Sequence, residues 1–354
     1  MSSVIKRERL LQKLEAASEH KLTLVCAPPG FGKTTLVWQF LQESPLESVW
    51  YSIEERDRDF ATFFTQFANL MRQRLPLLES VFGTVRPEPI ESAAALANGL
   101  RLVLKQDIFL VIDDIHYLIG DPRFETWLTT LISLLPAKCH LVLLSRVLPV
   151  LPIAEMVARR EILAIGQQEL RFTDDEISQL ASTALTDGDY QPPAQELIRR
   201  LEGWPAGLVL AFQPLPFEVT EMLLSGSNGP EALFNSLAEY MLNSQPPHLR
   251  EFLLAASLVS RLNPEIATNV LGLRNASQLI EEALRKNLFL SRNAGRLAFH
   301  GLFRSFLQQR FYDTNPERYI ELQVKAAEWF AQHNQMEDAF EHFMAANLPR
   351  RAAE

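Results

Sequence analysis

Lys33 and Thr34 follow Gly32 in "LVCAPPGFGKTTLVWQF" (24–40), and Asp113 and Asp114 sit inside "FLVIDDIH" (109–116). A cation, a hydroxyl and two carboxylates are the groups needed to hold a phosphate chain with its divalent metal. The first stretch fits the Walker A spacing G-x-x-x-x-G-K-[ST], with Gly32, Lys33 and Thr34 in register and Ala27 standing where the first glycine belongs. In such a loop, backbone N–H groups and the start of a helix surround an anion, and glycines let the backbone approach it closely. Pro29, Gly30, Phe31 and Gly32, with Lys33, Thr34 and Thr35 behind them, are therefore the candidate nucleotide contacts. Lys33 is expected to reach the β- and γ-phosphates and Thr34 to ligate Mg²⁺. The competing reading is a Gly/Pro turn that only joins a strand to a helix. A strand before, a helix after and a second motif downstream favour the phosphate loop.

That second motif has Walker B character: four apolar residues run into Asp113 and Asp114, and an acid at the carboxyl end of a buried strand can face the phosphate loop. Asp113 is expected in the metal shell and Asp114 to orient an attacking water. In "LVLLSR" (141–146), Arg146 ends the next strand, where a guanidinium can touch the γ-phosphate and so distinguish ATP from ADP. A solvated strand-end arginine is the alternative. His116 has no companion at metal-ligand spacing and reads as a loop or partly buried residue.

These residues need a scaffold. "LTLVCA" (22–27), "SVWYSI" (48–53), "IFLVID" (108–113), "HLVLLS" (140–145) and "EILAIG" (161–166) are near-continuous in apolar residues, as parallel strands covered on both faces require. Between them, 59–75 and 91–106 place apolar residues at helical spacing. The alternation predicts a doubly wound parallel sheet, an α/β P-loop NTPase fold over 1–166. A mostly α-helical domain is expected over 167–230, opened by Thr173 as N-cap and Glu176 as its capping-box partner, with a Gly/Ser-rich break near 214–233. Four helix-like patterns and a hairpin around "NAG" suggest a winged-helix domain over 231–312. Residues 313–354 read as a helix, a turn and a helix, the start of an α-helical repeat array.

Across the 354 residues, 47% are hydrophobic and 22% charged, as in soluble globular proteins, and the formal net charge of -9 argues against an extended electrostatic grip on nucleic acid. Cys26 and Cys139 lie in apolar strands and suit a reducing compartment. The charged, leucine-containing N-terminus lacks the uninterrupted apolar core expected of a signal peptide, and no stretch reaches the roughly 20 apolar residues needed to cross a bilayer. The expected location is the cytoplasm, with no membrane partner.

Together these motifs resemble the STAND class of signal-transducing P-loop ATPases, and within it the MalT-like regulators of the LuxR family. "IKRERLL" (5–11) is similar to the N-terminal segment that packs near the adenine in that group, and "VIDDIHYL" (111–118) and "LLSRVLPVLP" (143–152) to its Walker B and sensor segments. "LRFTDDEI" (170–177) and "LEGWPAGLVL" (201–210) resemble the helical lid, in which the resemblance puts Pro205 against the base. "FHGLFRSFL" (299–307) resembles the winged-helix segment in which His300 would contact the β-phosphate of ADP. Alone, Pro205 would be read as the first residue of a helix and His300 as a packed hairpin-end residue.

The resemblance implies an ATP/ADP-dependent switch with Mg²⁺, slow hydrolysis through Lys33, Asp113, Asp114 and Arg146, and self-association in the ATP state. Complete members continue into inducer-binding repeats and a DNA-binding helix-turn-helix, which these 354 residues lack. The expectation is a fragment or truncated product of a regulator, or a standalone switch, with no direct DNA contact and an unidentified inducer. Two further readings stay open: an ATPase or kinase-like enzyme whose turnover is its purpose, and an interaction fragment with a structural nucleotide.

Overall fold

The computed structural model describes residues 5–78, 86–184, 192–212, 221, 230–260, 262–273, 275–286, 288–293, 296–299 and 301–353. The chain divides into two compact units, Lys6–Arg171 and Phe172–Glu354, the latter joined by Met1–Ile5.

The first unit is built on a five-stranded, wholly parallel sheet. In chain order its strands are β1 (Leu22–Cys26), β2 (Glu47–Ser52), β3 (Ile108–Asp113), β4 (Cys139–Ser145) and β5 (Ile162–Gly166). Their spatial order is β2-β3-β4-β1-β5. Every residue of β3 and β4 is buried, which is why these strands read as unbroken apolar runs, whereas the edge strands β2 and β5 keep exposed positions. Helices α1 (Glu8–Glu15), α2 (Lys33–Glu43), α3 (Phe60–Arg74), α4 (Pro89–Val103) and α5 (Pro122–Leu134) connect and cover the sheet. Phe63 of α3 meets Phe124 and Trp127 of α5 edge-on, with ring centroids 5.2 Å apart in each pair, and the cluster locks the two helices over one sheet face.

This strand order decides where the chemistry lies. β4 runs between β1 and β3, so the loops that leave β1, β4 and β3 are neighbours at the carboxyl edge of the sheet. The ladder continues past the strand ends: Ala27 N–H donates to Ser145 O at 3.2 Å, and Ile53 N–H to Asp113 O at 3.0 Å.

In the second unit, Thr173 and Glu176 form the expected capping box: Thr173 N–H donates to Glu176 Oε2 at 3.0 Å and Glu176 N–H to Thr173 Oγ1 at 3.3 Å. Helices Pro192–Leu201 and Pro205–Ala211 are joined through Glu202 and Gly203, both at positive φ. A Cβ on Gly207 would lie 2.6 Å from Leu201 Cδ2 and 2.9 Å from Trp204 Cε3, so this glycine is required by close packing. The Gly/Ser-rich break near 214–233 lies mostly outside the described residues.

Four helices, Pro230–Asn243, Pro247–Ala256, Pro264–Asn269 and Ala276–Arg285, then precede an antiparallel hairpin of β6 (Leu290–Asn293) and β7 (Arg296–Phe299). Leu262 bridges to Leu297, and helix Gly301–Thr314 follows. Helices Pro316–Gln332 and Met336–Ala345 form the final pair, with the ring of His342 stacked on Phe330 at 5.3 Å between centroids. Among the described residues no helix is long and apolar enough to cross a membrane.

Candidate functional site

The phosphate loop leaves β1 at Ala27 and enters α2 at Lys33. Gly30 and Gly32 both adopt positive φ, 81° and 76°. A Cβ at Gly32 would meet no atom within 4 Å, so it is the left-handed backbone, rather than crowding, that demands glycine there. Gly32 is also the N-cap of α2 and has no side chain with which to cap that helix end. The first N–H groups of a helix lack intrahelical partners and carry the positive end of its dipole, so α2 presents donors suited to an anion.

Lys33 is 7% exposed, and its Nζ donates to Ala27 O at 2.7 Å and Pro28 O at 3.1 Å. Burial pulls the ammonium below the usual lysine range, and the charges of Asp114 and Asp113 oppose that shift. The Thr34 hydroxyl donates to Asp113 Oδ2 at 2.9 Å, and Asp114 N–H to Asp113 Oδ1 at 2.8 Å. Thr34 and Asp113, predicted to share a metal, thus lie within one hydrogen bond. Asp113 is 2% exposed; burial pushes its carboxyl up to about 7, Asp114 adds to the shift, and the Thr34 hydrogen bond works against it.

Asp114 takes a left-handed conformation, φ 57°, tolerated better by Asp than by most residues. Its Oδ1 lies 3.9 Å from Arg146 Nε and 3.4 Å from His116 Nδ1. Burial raises the Asp114 carboxyl, against the pull of Arg146 and Lys33. His116 is pushed down to about 4 by burial, with Arg146 and Lys33 adding to it, so at neutral pH the ring is neutral. His116, read from the sequence as a loop or partly buried residue, is partly buried and lies beside Asp114.

Lys33, Thr34, Asp113, Asp114 and Arg146 are thus brought together on the first unit. Phe31 is buried and Thr35 partly so, while Pro29 sits between Pro28 and Gly30 at the start of the turn. Pro205 is in the second unit, buried, as the first residue of its helix, with Trp204 as N-cap. His300 lies outside the described residues.

The donor set fits a magnesium nucleotide. One hydroxyl and one carboxylate are hard oxygen ligands, and Mg²⁺ usually takes only one or two protein ligands, the rest being phosphate and water. No group of three or more His, Cys, Asp or Glu that could hold a metal occurs among the described residues.

Sequence reasoning missed Arg7. It is 4% exposed, and its guanidinium donates to Leu170 O at 2.7 Å and Arg171 O at 3.0 Å, and reaches Phe31 O of the phosphate loop at 3.5 Å. Main-chain carbonyls so far away in sequence leave no side-chain pattern to detect.

Comparison with known proteins agrees with the fold. Residues 16–148 match the AAA domain family and residues 237–319 the MalT winged helix domain. Over 370 residues the chain is 31% identical to the serine/threonine-protein kinase PknK of Mycobacterium tuberculosis, the match covering 99% of this chain and 33% of the kinase. Over 360 residues it is 30% identical to the HTH-type transcriptional regulator MalT of Yersinia pestis, covering 98% of this chain and 39% of the regulator. The chain therefore spans 33% and 39% of the length of these two relatives. A Signal Transduction ATPase with Numerous Domains (STAND) protein with a tetratricopeptide repeat sensor, from Pyrococcus horikoshii, shares the fold with a TM-score of 0.66 at 15% identity. That alignment covers 98% of this chain and 48% of the other.

Proposed function

The chain is a MalT-like P-loop ATPase of the STAND class, and from that premise we propose that it works as an ATP/ADP-dependent signal-transduction switch. In this reading it is the nucleotide-binding and self-association module of a MalT-type transcriptional regulator, with hydrolysis slow enough to reset the switch rather than to serve turnover. The observation that carries it is the Thr34–Asp113 hydrogen bond beside a glycine loop, with Asp114 set between Arg146 and His116.

Mg²⁺, when bound, supplies positive charge that neutralises the phosphate oxygens. Thr34 and Asp113 would hold it. Lys33 exchanges its carbonyl partners at Ala27 and Pro28 for phosphate oxygens, which costs little because one set of acceptors replaces another. Asp114 holds the attacking water, and Arg146 reads the third phosphate through its fixed charge. Pro205 and His300 carry the roles the resemblance implies, at the base and at the β-phosphate of ADP. Converting a population that is almost wholly resting into one almost wholly active needs about 5 kcal/mol of differential affinity between the two nucleotides' preferred states.

The first experiment is to denature the freshly purified protein and identify any released nucleotide by chromatography, then compare exchange and turnover rates. Stoichiometric ADP with turnover no faster than exchange supports the switch. Rapid turnover from a nucleotide-free preparation would favour an enzyme. A nucleotide retained through dialysis, with ATP leaving conformation unchanged, would favour a structural ligand. Self-association is tested by sedimentation with ATP and with ADP, and an ATP-independent monomer would remove that part of the reading.

A further inference from the structure

We propose that Arg7 is a positioning residue that couples the phosphate loop to the segment joining the two units, so that nucleotide occupancy is felt at residues 167–171. The inference rests on the nucleotide-binding reading above.

Three observations carry it. First, Arg7 is buried, and its fork spans two places that are distant in sequence: Phe31 O in the loop, and the carbonyls of Leu170 and Arg171. Arg171 is the last residue of the first unit. A guanidinium stays charged at any working pH and presents its donors in a rigid plane, so displacement at one end of the fork moves the other.

Second, the contacts are unequal. Those to Leu170 and Arg171 are 2.7 and 3.0 Å, while that to Phe31 is 3.5 Å, at the limit of a hydrogen bond. The loop end is the one made or lost by a small motion. Phe31 lies between two glycines in the left-handed region, where peptide planes turn at low steric cost. Its carbonyl and the N–H of Gly32 are opposite ends of one planar peptide. Drawing the Gly32 N–H toward a phosphate therefore re-aims the Phe31 carbonyl at Arg7.

Third, the joining segment is tied to the same helix at further points. Arg9 donates to Arg171 O at 2.7 Å, and Lys13 pairs with Glu169, whose other oxygen accepts from Gly166 N–H at 2.9 Å. α1 and residues 166–171 therefore respond as one body, into which Arg7 carries the state of the loop.

The test uses the whole chain as wild type, Arg7→Lys and Arg7→Ala. Calorimetry measures ADP and a non-hydrolysable ATP analogue, each with Mg²⁺, and hydrogen exchange is followed at residues 167–172 with and without each nucleotide. In the wild type, nucleotide is expected to slow exchange there by about fivefold or more. In Arg7→Ala, nucleotide should still bind while the change at 167–172 is lost, and Arg7→Lys, which keeps the charge without the fork, should lose most of it. A purely structural arginine would instead leave the nucleotide-dependent difference intact in any variant that folds and binds. Should Arg7→Ala fail to fold, Arg7→Lys is read by the same criteria. Nucleotide bound to Arg7→Lys with an undiminished response at 167–172 overturns the proposal, as does a wild type that binds without any response. A wild type that binds no nucleotide overturns the nucleotide reading, and the coupling with it.

Discussion

The Thr34 hydroxyl and the Asp113 carboxylate, 79 residues apart in sequence, meet in a 2.9 Å hydrogen bond. The first opens a helix and the second ends a strand. Their meeting follows from the sheet order: β4 alone separates β1 from β3, and the carboxyl ends of these parallel strands lie at the same edge.

Asp113→Asn separates stability from function. Burial raises the folded-state pKa of Asp113 to about 7, above its unfolded value, so the folded protein holds a proton there more tightly than the unfolded chain does. The favourable contribution is present in full below the unfolded pKa near 4 and is lost as pH rises through 7. The amide cannot ionise, so metal-free Asp113→Asn should gain on wild type as pH rises from 5 to 8, by about 2–3 kcal/mol. Magnesium-dependent nucleotide binding should be lost. Thermal unfolding in a chelator at both pH values checks the first part, and a difference that shrinks as pH rises would contradict it.

Lys33→Ala should abolish measurable nucleotide binding. Its buried ammonium is held by two loop carbonyls, so the cation is already positioned at the phosphate site. Losing a charge-assisted contact to phosphate there is worth about 3 kcal/mol or more, over a hundredfold in affinity. Unchanged affinity by calorimetry would sink the phosphate-loop assignment.

How much of this was legible can be judged residue by residue. Lys33, Thr34, Asp113, Asp114 and Arg146 declared themselves because their chemistry is tied to local context, at a strand end or a helix start. The continuous apolar runs of β3 and β4 followed from burial on both faces. His116 was read as a loop or partly buried residue, and it is partly buried; its contact with Asp114 was not foreseen because it depends on Asp114 turning into the left-handed region, which no spacing rule encodes. Arg7 was invisible for a different reason: its acceptors are backbone carbonyls at Phe31, Leu170 and Arg171, and every residue type has one.

His300→Ala should weaken ADP more than ATP if this histidine contacts the β-phosphate in the ADP state, as the family resemblance implies. A charged or polar contact to phosphate is worth about 1–3 kcal/mol, so ADP affinity should fall by about tenfold or more. Equal loss for both nucleotides, read by competition with a fluorescent analogue, would remove the case for a latch in the winged-helix part.

Arg146→Ala should narrow the discrimination between ATP and ADP. The Arg146 Nε lies 3.9 Å from Asp114, and the side chain keeps 35% of its surface exposed, so the present contact is too loose and solvated to define a structural ion pair. An arginine held near a carboxylate at that distance can leave it for a more highly charged partner without a large desolvation cost. The third phosphate of ATP is such a partner, and a charge-assisted pair with it is worth about 1.5–3 kcal/mol. The variant should therefore lose about tenfold or more in ATP affinity. Its ADP affinity should stay within about threefold of wild type, since ADP lacks the group that Arg146 reads. Calorimetric titration with ADP and a non-hydrolysable ATP analogue checks this. A parallel loss for both ligands would mean that Arg146 supports the fold of the loop around Asp114, and the discrimination would then have to come from another residue.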